Sequence, residues 1–100
     1  MTDLEINKAL ALAIGWKPEQ MRITDVFGTA LILQESEWHT ARTFNYRNWN
    51  VIGPIAERYD LFPMVAACHA DQWAICTDKI EVYAETPQKA IALAVIEAHK

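Results

Sequence analysis

The chain has little of what the common functional signatures require. With three glycines it holds no glycine-rich loop to cradle phosphates, and it has no Cys-x-x-Cys, no His-Glu-x-x-His and no Gly-x-Ser-x-Gly. Standard nucleotide binding is therefore excluded as an expectation, and no cofactor is expected. Two cysteines, Cys68 and Cys76, are too few for a disulfide framework and are expected as thiols. Positive charge is short as well: nine basic against thirteen acidic residues give −4, which argues against binding by neutralising many phosphates. The acids are scattered, with no block that would form a tail or imitate DNA. No uncharged run approaches the roughly eighteen residues of a membrane span, and Met1-Thr2-Asp3-Leu4-Glu5 lacks the basic and apolar regions of a secretory signal, so the expected location is the cytoplasm.

What is present fits an ordinary globular chain. At 100 residues, 52% hydrophobic and 22% charged, the expectation is one domain. A chain of this size buries only about two-thirds of its extended surface, which leaves marginal stability and room for a homodimer.

Thr2 followed by Glu5 is a capping box, and Leu4, Ile6, Ala9, Leu10, Leu12 and Ala13 supply an apolar stripe ahead of Gly15. This predicts a helix over Asp3–Ile14. Runs of β-branched and aromatic residues then predict strands at Met21–Thr24, Thr29–Leu33 and Trp38–Arg42. The spacing of Val51, Ile52, Ile55, Ala56 and Tyr59 predicts a helix, with Asn48 or Asn50 as N-cap. Pro54 must lie in or near its first turn, so the expected span is Ile52–Asp60. Met64–His69, Trp73–Thr77 and Ile80–Glu85 read as a three-stranded meander, the last with Ile80, Val82 and Ala84 on a dry face and Glu81, Tyr83 and Glu85 on a wet one. Thr86-Pro87 is a cap followed by a preorganised first residue, predicting a helix over Gln88–Ala98 with Ile91, Ala94, Val95 and Ala98 along one face. The resulting fold is α+β, in the order α-β-β(-β)-α-β-β-β-α, a small antiparallel sheet packed with three helices.

Three stretches, Ile6-Asn7 through Ala11 to Gly15-Trp16, Trp49-Asn50 leading into Ile52–Tyr59, and Ala84-Glu85-Thr86-Pro87 with Ala90-Ile91 and Ala94, together resemble a family of small phage proteins, the phage ABA sandwich domain. The family's central helix usually opens with small hydroxyl residues and an acid, where this chain has Val51-Ile52-Gly53-Pro54. The resemblance implies a phage genome, a bacterial host cytoplasm and a mixed α/β sandwich. It implies no catalytic residue.

Trp38, His39, Arg42, Phe44, Tyr46, Arg47 and Trp49 crowd one segment that contains no acid. Aromatics and arginines carry much of the energy of protein interfaces because they bury large area and keep a polar handle. The segment is therefore the expected binding surface, for a host or phage protein. The competing account turns Phe44 and the tryptophans inward to finish a small core. If the segment is surface, removing Tyr46 and Arg47 together should leave stability nearly untouched.

Other chemistry is weaker. Cys68, His69 and Cys76 could hold a metal or act as a nucleophile if the hairpin loop centres on Gln72, which sets the two thiols opposite each other. Neighbours on a strand point to opposite faces, however, so His69 would need a bulge to join them. Trp38, Tyr46 and Trp49 could stack on unpaired bases, a use that the net charge opposes. Glu81, Tyr83 and Glu85 share a strand face, where solvation accounts for them better than acid–base chemistry does. The expected function is a non-catalytic phage accessory protein that works by protein–protein interaction, with inhibition of a host defence or metabolic protein as its use.

Overall fold

Thr2 and Glu5 start the chain's first helix as their spacing requires. The Thr2 hydroxyl accepts from the Glu5 N–H at 3.2 Å, and the Glu5 carboxylate accepts from the Thr2 N–H at 3.3 Å. The structure is a computed structural model that describes residues 2–23, 30–65 and 72–100. Its helices are α1 (Asp3–Ala13), α2 (Trp49–Tyr59) and α3 (Pro87–Ala98), and its strands are β1 (Met21–Ile23), β2 (Leu31–Leu33), β3 (Arg42–Phe44), β4 (Met64–Val65), β5 (Trp73–Cys76) and β6 (Glu81–Ala84). The α+β class and element order stand, with the strands divided between two antiparallel sheets, β1-β2-β3 and β4-β5-β6. No described helix is long and apolar enough to cross a membrane.

The chain forms two compact units, Met1–Asn45 and Tyr46–Lys100. In the first, α1 lies on β2. Its buried face carries Ile6, Asn7, Leu10 and Ala11, while Leu12 is half exposed. A polar residue thus sits inside the stripe, and no buried side-chain polar atom among the described residues lacks a hydrogen-bond partner. Gly15 at φ +110° turns the chain out of α1, and the Trp16 N–H reaches back to the Ala11 carbonyl at 2.9 Å. In the sheet, Leu31 pairs with Phe44 and Leu33 with Met21, so Leu31, Leu33 and Phe44 line the buried face. Thr24 and Thr29, expected at strand ends, lie outside the described residues.

In the second unit α3 packs on β5 and β6 and against α2. Ala90, Ile91, Ala92, Ala94 and Val95 are all fully buried, whereas Ala98 is exposed. Thr86 caps α3 by accepting from the Lys89 N–H at 3.2 Å, and Pro87 is its first residue. Strand pairing sets Ile75 opposite Val82 and Trp73 opposite Ala84 on the dry face.

Three expectations change. The third strand is Arg42–Phe44, sharing only Arg42 with Trp38–Arg42, because Ser36–His39 forms a hydrogen-bonded turn instead. Helix α2 begins at Trp49, a turn earlier than expected, since the Asn48 side chain accepts from the Asn50 N–H at 2.9 Å and caps that start. Pro54 consequently lies inside the helix. Gly53 before it has no Cβ to clash with the proline ring, which removes the usual bar to a helical residue ahead of proline. The third change is the β4–β5 register, with Met64 opposite Ala74 and Val65 opposite Trp73.

Candidate functional site

The segment expected to bind is divided by its own packing. Phe44 is 5% and Tyr46 0% exposed, so both rings are core and unavailable as contact residues in this fold. Trp38 is 93% exposed. In the first unit His39 and Arg42 are exposed beside it in sequence, while in the second Arg47 is exposed and Trp49 is 51% so. The Arg47 guanidinium stands 5.3 Å from the centroid of the Tyr46 ring, and its backbone carbonyl accepts from Gln88 Nε2 at 3.3 Å. The fate of Tyr46 reverses the expectation that Tyr46 and Arg47 could be removed together without loss of stability. It also breaks up the proposed base-stacking trio of Trp38, Tyr46 and Trp49.

Trp38 owes its exposure to a tied turn. The His39 N–H donates to the Ser36 carbonyl at 3.1 Å, closing a four-residue turn with Trp38 third. The Ser36 hydroxyl accepts from the Trp38 N–H at 3.3 Å and lies 2.6 Å from His39 Nδ1. Gln34 Nε2 donates to the His39 carbonyl at 2.9 Å, and His39 Nε2 stands 3.4 Å from the Glu35 carboxylate. The turn is anchored to the sheet side by Gln20, whose carbonyl accepts from the Gln34 N–H and whose amide donates to the Glu35 carbonyl at 3.3 Å. Gln20, Gln34 and Ser36 were absent from the residues singled out in the sequence. The signal available was a serine two residues before Trp38, placed to bond its backbone.

Beside the turn an open cleft of about 180 Å³ is lined by Glu19, Gln20, Arg22, Gln34, Glu35, Ser36 and Glu37. A second depression of about 280 Å³ is lined by Ile14, Gly15, Trp16, Gln20 and Glu35. Both fall below the roughly 300 Å³ at which enclosed small-molecule sites begin.

Cys76 is exposed and lies opposite Glu81 of β6. Cys68 and His69 themselves lie outside the described residues. Among the described residues, no group of three metal-ligating side chains comes together. On the wet face of β6 the Tyr83 hydroxyl donates to the Glu81 carboxylate. Glu85 is held below the ordinary carboxylate range, chiefly by the hydrogen bond from Lys89, whose ammonium lies 2.8 Å away.

Comparison of the chain with protein families, with curated proteins and with solved structures gave no match.

Proposed function

We propose that this protein acts by binding another protein, without catalysis, and that Trp38 is the anchor of the contact. The observation that carries the proposal is a tryptophan 93% exposed at the tip of a turn held by side-chain and backbone hydrogen bonds. A large apolar ring left in water is unfavourable to the free protein, and the tied turn has already met most of the ordering entropy that a flexible loop would lose on docking. Tryptophan is also among the residue types most enriched at the energetic centres of interfaces. The shallow clefts next to the turn suit a flat macromolecular contact better than an enclosed ligand. The resemblance of its three segments to phage ABA sandwich proteins extends the proposal to a phage-encoded accessory role, in which a host defence or metabolic protein is the partner that is blocked.

The test compares the wild type, Trp38→Ala and Trp49→Ala as bait in lysate of the bacterial host. A partner bound by the wild type and by Trp49→Ala should be lost from Trp38→Ala, whose melting temperature should be unchanged. An anchor of this kind is worth about 2 kcal/mol or more, on the order of thirtyfold in affinity. Retention of the same partner by Trp38→Ala at equal affinity would sink the proposal.

A further inference from the structure

Residues 34–41 join β2 to β3 and carry Trp38. Most of the hydrogen bonds that shape this connection are its own, between Gln34 and His39, His39 and Ser36, and Trp38 and Ser36. Among the described residues, those that tie it to another part of the chain are made with Gln20 alone. Gln20 ends the short helical turn Pro18–Gln20, and all its polar groups are engaged. Its N–H donates to the Lys17 carbonyl at 3.0 Å, and its carbonyl accepts from the Gln34 N–H at 3.1 Å. The second of these continues the β1–β2 ladder by one residue, since Met21 lies opposite Leu33. The side chain adds a separate tie: Oε1 accepts from the Lys17 N–H at 2.9 Å and Nε2 donates to the Glu35 carbonyl at 3.3 Å. Turning the amide over would set donor against donor and acceptor against acceptor, so its orientation is fixed. Both partners are backbone groups, which no change of rotamer can withdraw.

We propose that Gln20 is the positioning residue for Trp38: its amide holds the connection against the start of β1, so that the indole stands in one place before a partner arrives. This deepens the reading of Trp38 as a contact anchor and rests on it. Trp38, at 93% exposure, has no packing of its own to restrain it. Without the Gln20 amide the connection keeps its internal bonds and the backbone tie at Gln34, but it is released at Glu35, next to the Ser36–His39 turn. The turn then moves as a unit, and its ordering entropy is lost on docking instead of on folding. Gln20 also lines both depressions beside the turn, so weaker binding by a Gln20 variant would not separate lost positioning from a lost contact. The motion of Trp38 in the free protein does separate them.

NMR relaxation of the backbone amides of the full chain, without any partner, tests this. The Trp38 N–H of the wild type should have an order parameter of about 0.85, and in Gln20→Leu it should fall below about 0.6. Met21 and Leu33, held by the ladder, should keep their wild-type values, and circular dichroism should be unchanged. Glu19→Leu, in the same helical turn but with no hydrogen bond to the connection, should leave Trp38 as ordered as in the wild type. Gln20→Glu keeps the acceptor for the Lys17 N–H and loses the donor to Glu35, so it should loosen Trp38 as well, and it reads the same tie if Gln20→Leu does not fold. A wild-type Trp38 already below about 0.6, or a folded Gln20→Leu or Gln20→Glu in which Trp38 stays at the wild-type value, would overturn the proposal. So would an equal loosening by Glu19→Leu. Capture of a partner through Trp38 is a separate outcome: the anchor stands or falls on it, and the tie on the free protein.

Discussion

The imidazole of His99 meets the ring of Tyr59 edge-on, with centroids 5.4 Å apart and planes at 87°. Tyr59 is the last residue of α2 and His99 follows α3, so this contact closes the open ends of the two helices on each other. His99 Nδ1 lies 2.8 Å from the Val95 carbonyl, which can only accept, so that nitrogen carries the proton. A double-mutant cycle with Tyr59→Leu and His99→Ala should give a coupling of about 0.5–1 kcal/mol by urea denaturation. Additive losses would mean that the rings are merely neighbours.

Both α1 and α2 end in a left-handed residue followed by an N–H that reaches back five residues, but they use different residues. Gly15 takes φ +110° without penalty, whereas Asp60 holds φ 56° with a side chain, and the Leu61 N–H bonds the Ala56 carbonyl at 2.9 Å. Asp60→Gly should therefore stabilise the protein by about 0.5–1 kcal/mol, and Gly15→Ala should destabilise it by about 1–2 kcal/mol. Shifts of the same sign for both variants would show that the backbone conformation is not what decides them.

Tyr46 and Arg47 are adjacent in sequence and opposite in consequence. Tyr46→Ala should cost about 3–5 kcal/mol because the ring is fully buried, while Arg47→Ala should stay within about 0.5–1 kcal/mol. Equal losses in chemical denaturation would contradict the assignment of one to the core and the other to the surface.

At the start of α3, Thr86→Ala removes the oxygen that accepts the Lys89 N–H and should cost about 1 kcal/mol. Ile91→Ala, one turn further on and fully buried, should cost about 2–5 kcal/mol. An Ile91 loss no larger than the Thr86 loss would mean that the helix packs loosely on β5 and β6.

Glu5 and Glu85 both have lowered carboxyl pKa values, Glu5 chiefly through the backbone hydrogen bond from Thr2 and Glu85 chiefly through the hydrogen bond from Lys89. A folded-state value below the unfolded one means stability that is complete above the unfolded pKa, about 4.3, and is lost as pH falls through the folded value. Melting temperature should thus decline below about pH 4.3, and Glu5→Gln and Glu85→Gln should each flatten that decline. Glu5→Gln keeps an acceptor for the Thr2 N–H, so its effect should lie in the pH slope more than in the helix start. Wild-type and variant curves that remain parallel down to about pH 3 would refute this.

The sequence alone determined those features whose cause lies within a few residues. The Thr2–Glu5 capping box, the Thr86-Pro87 start, the Gly15 stop and the alternation in β6 each rest on bonds or sterics between near neighbours, and each stands where its residues predict. Where two local signals conflicted, as at Asn48 and Pro54, the sequence could not weigh a cap against a lost helical bond, and the helix started a turn early. Tertiary structure alone decided which aromatics are inside. Trp38 and Tyr46 have similar neighbours in the chain, yet one is 93% and the other 0% exposed. On the Trp38 side that difference comes from a turn tied to Gln20, from another part of the chain. Register was also a tertiary decision, because a strand's own pattern specifies its faces but not which partner residue it meets, and β4 meets β5 with Met64 opposite Ala74 and Val65 opposite Trp73.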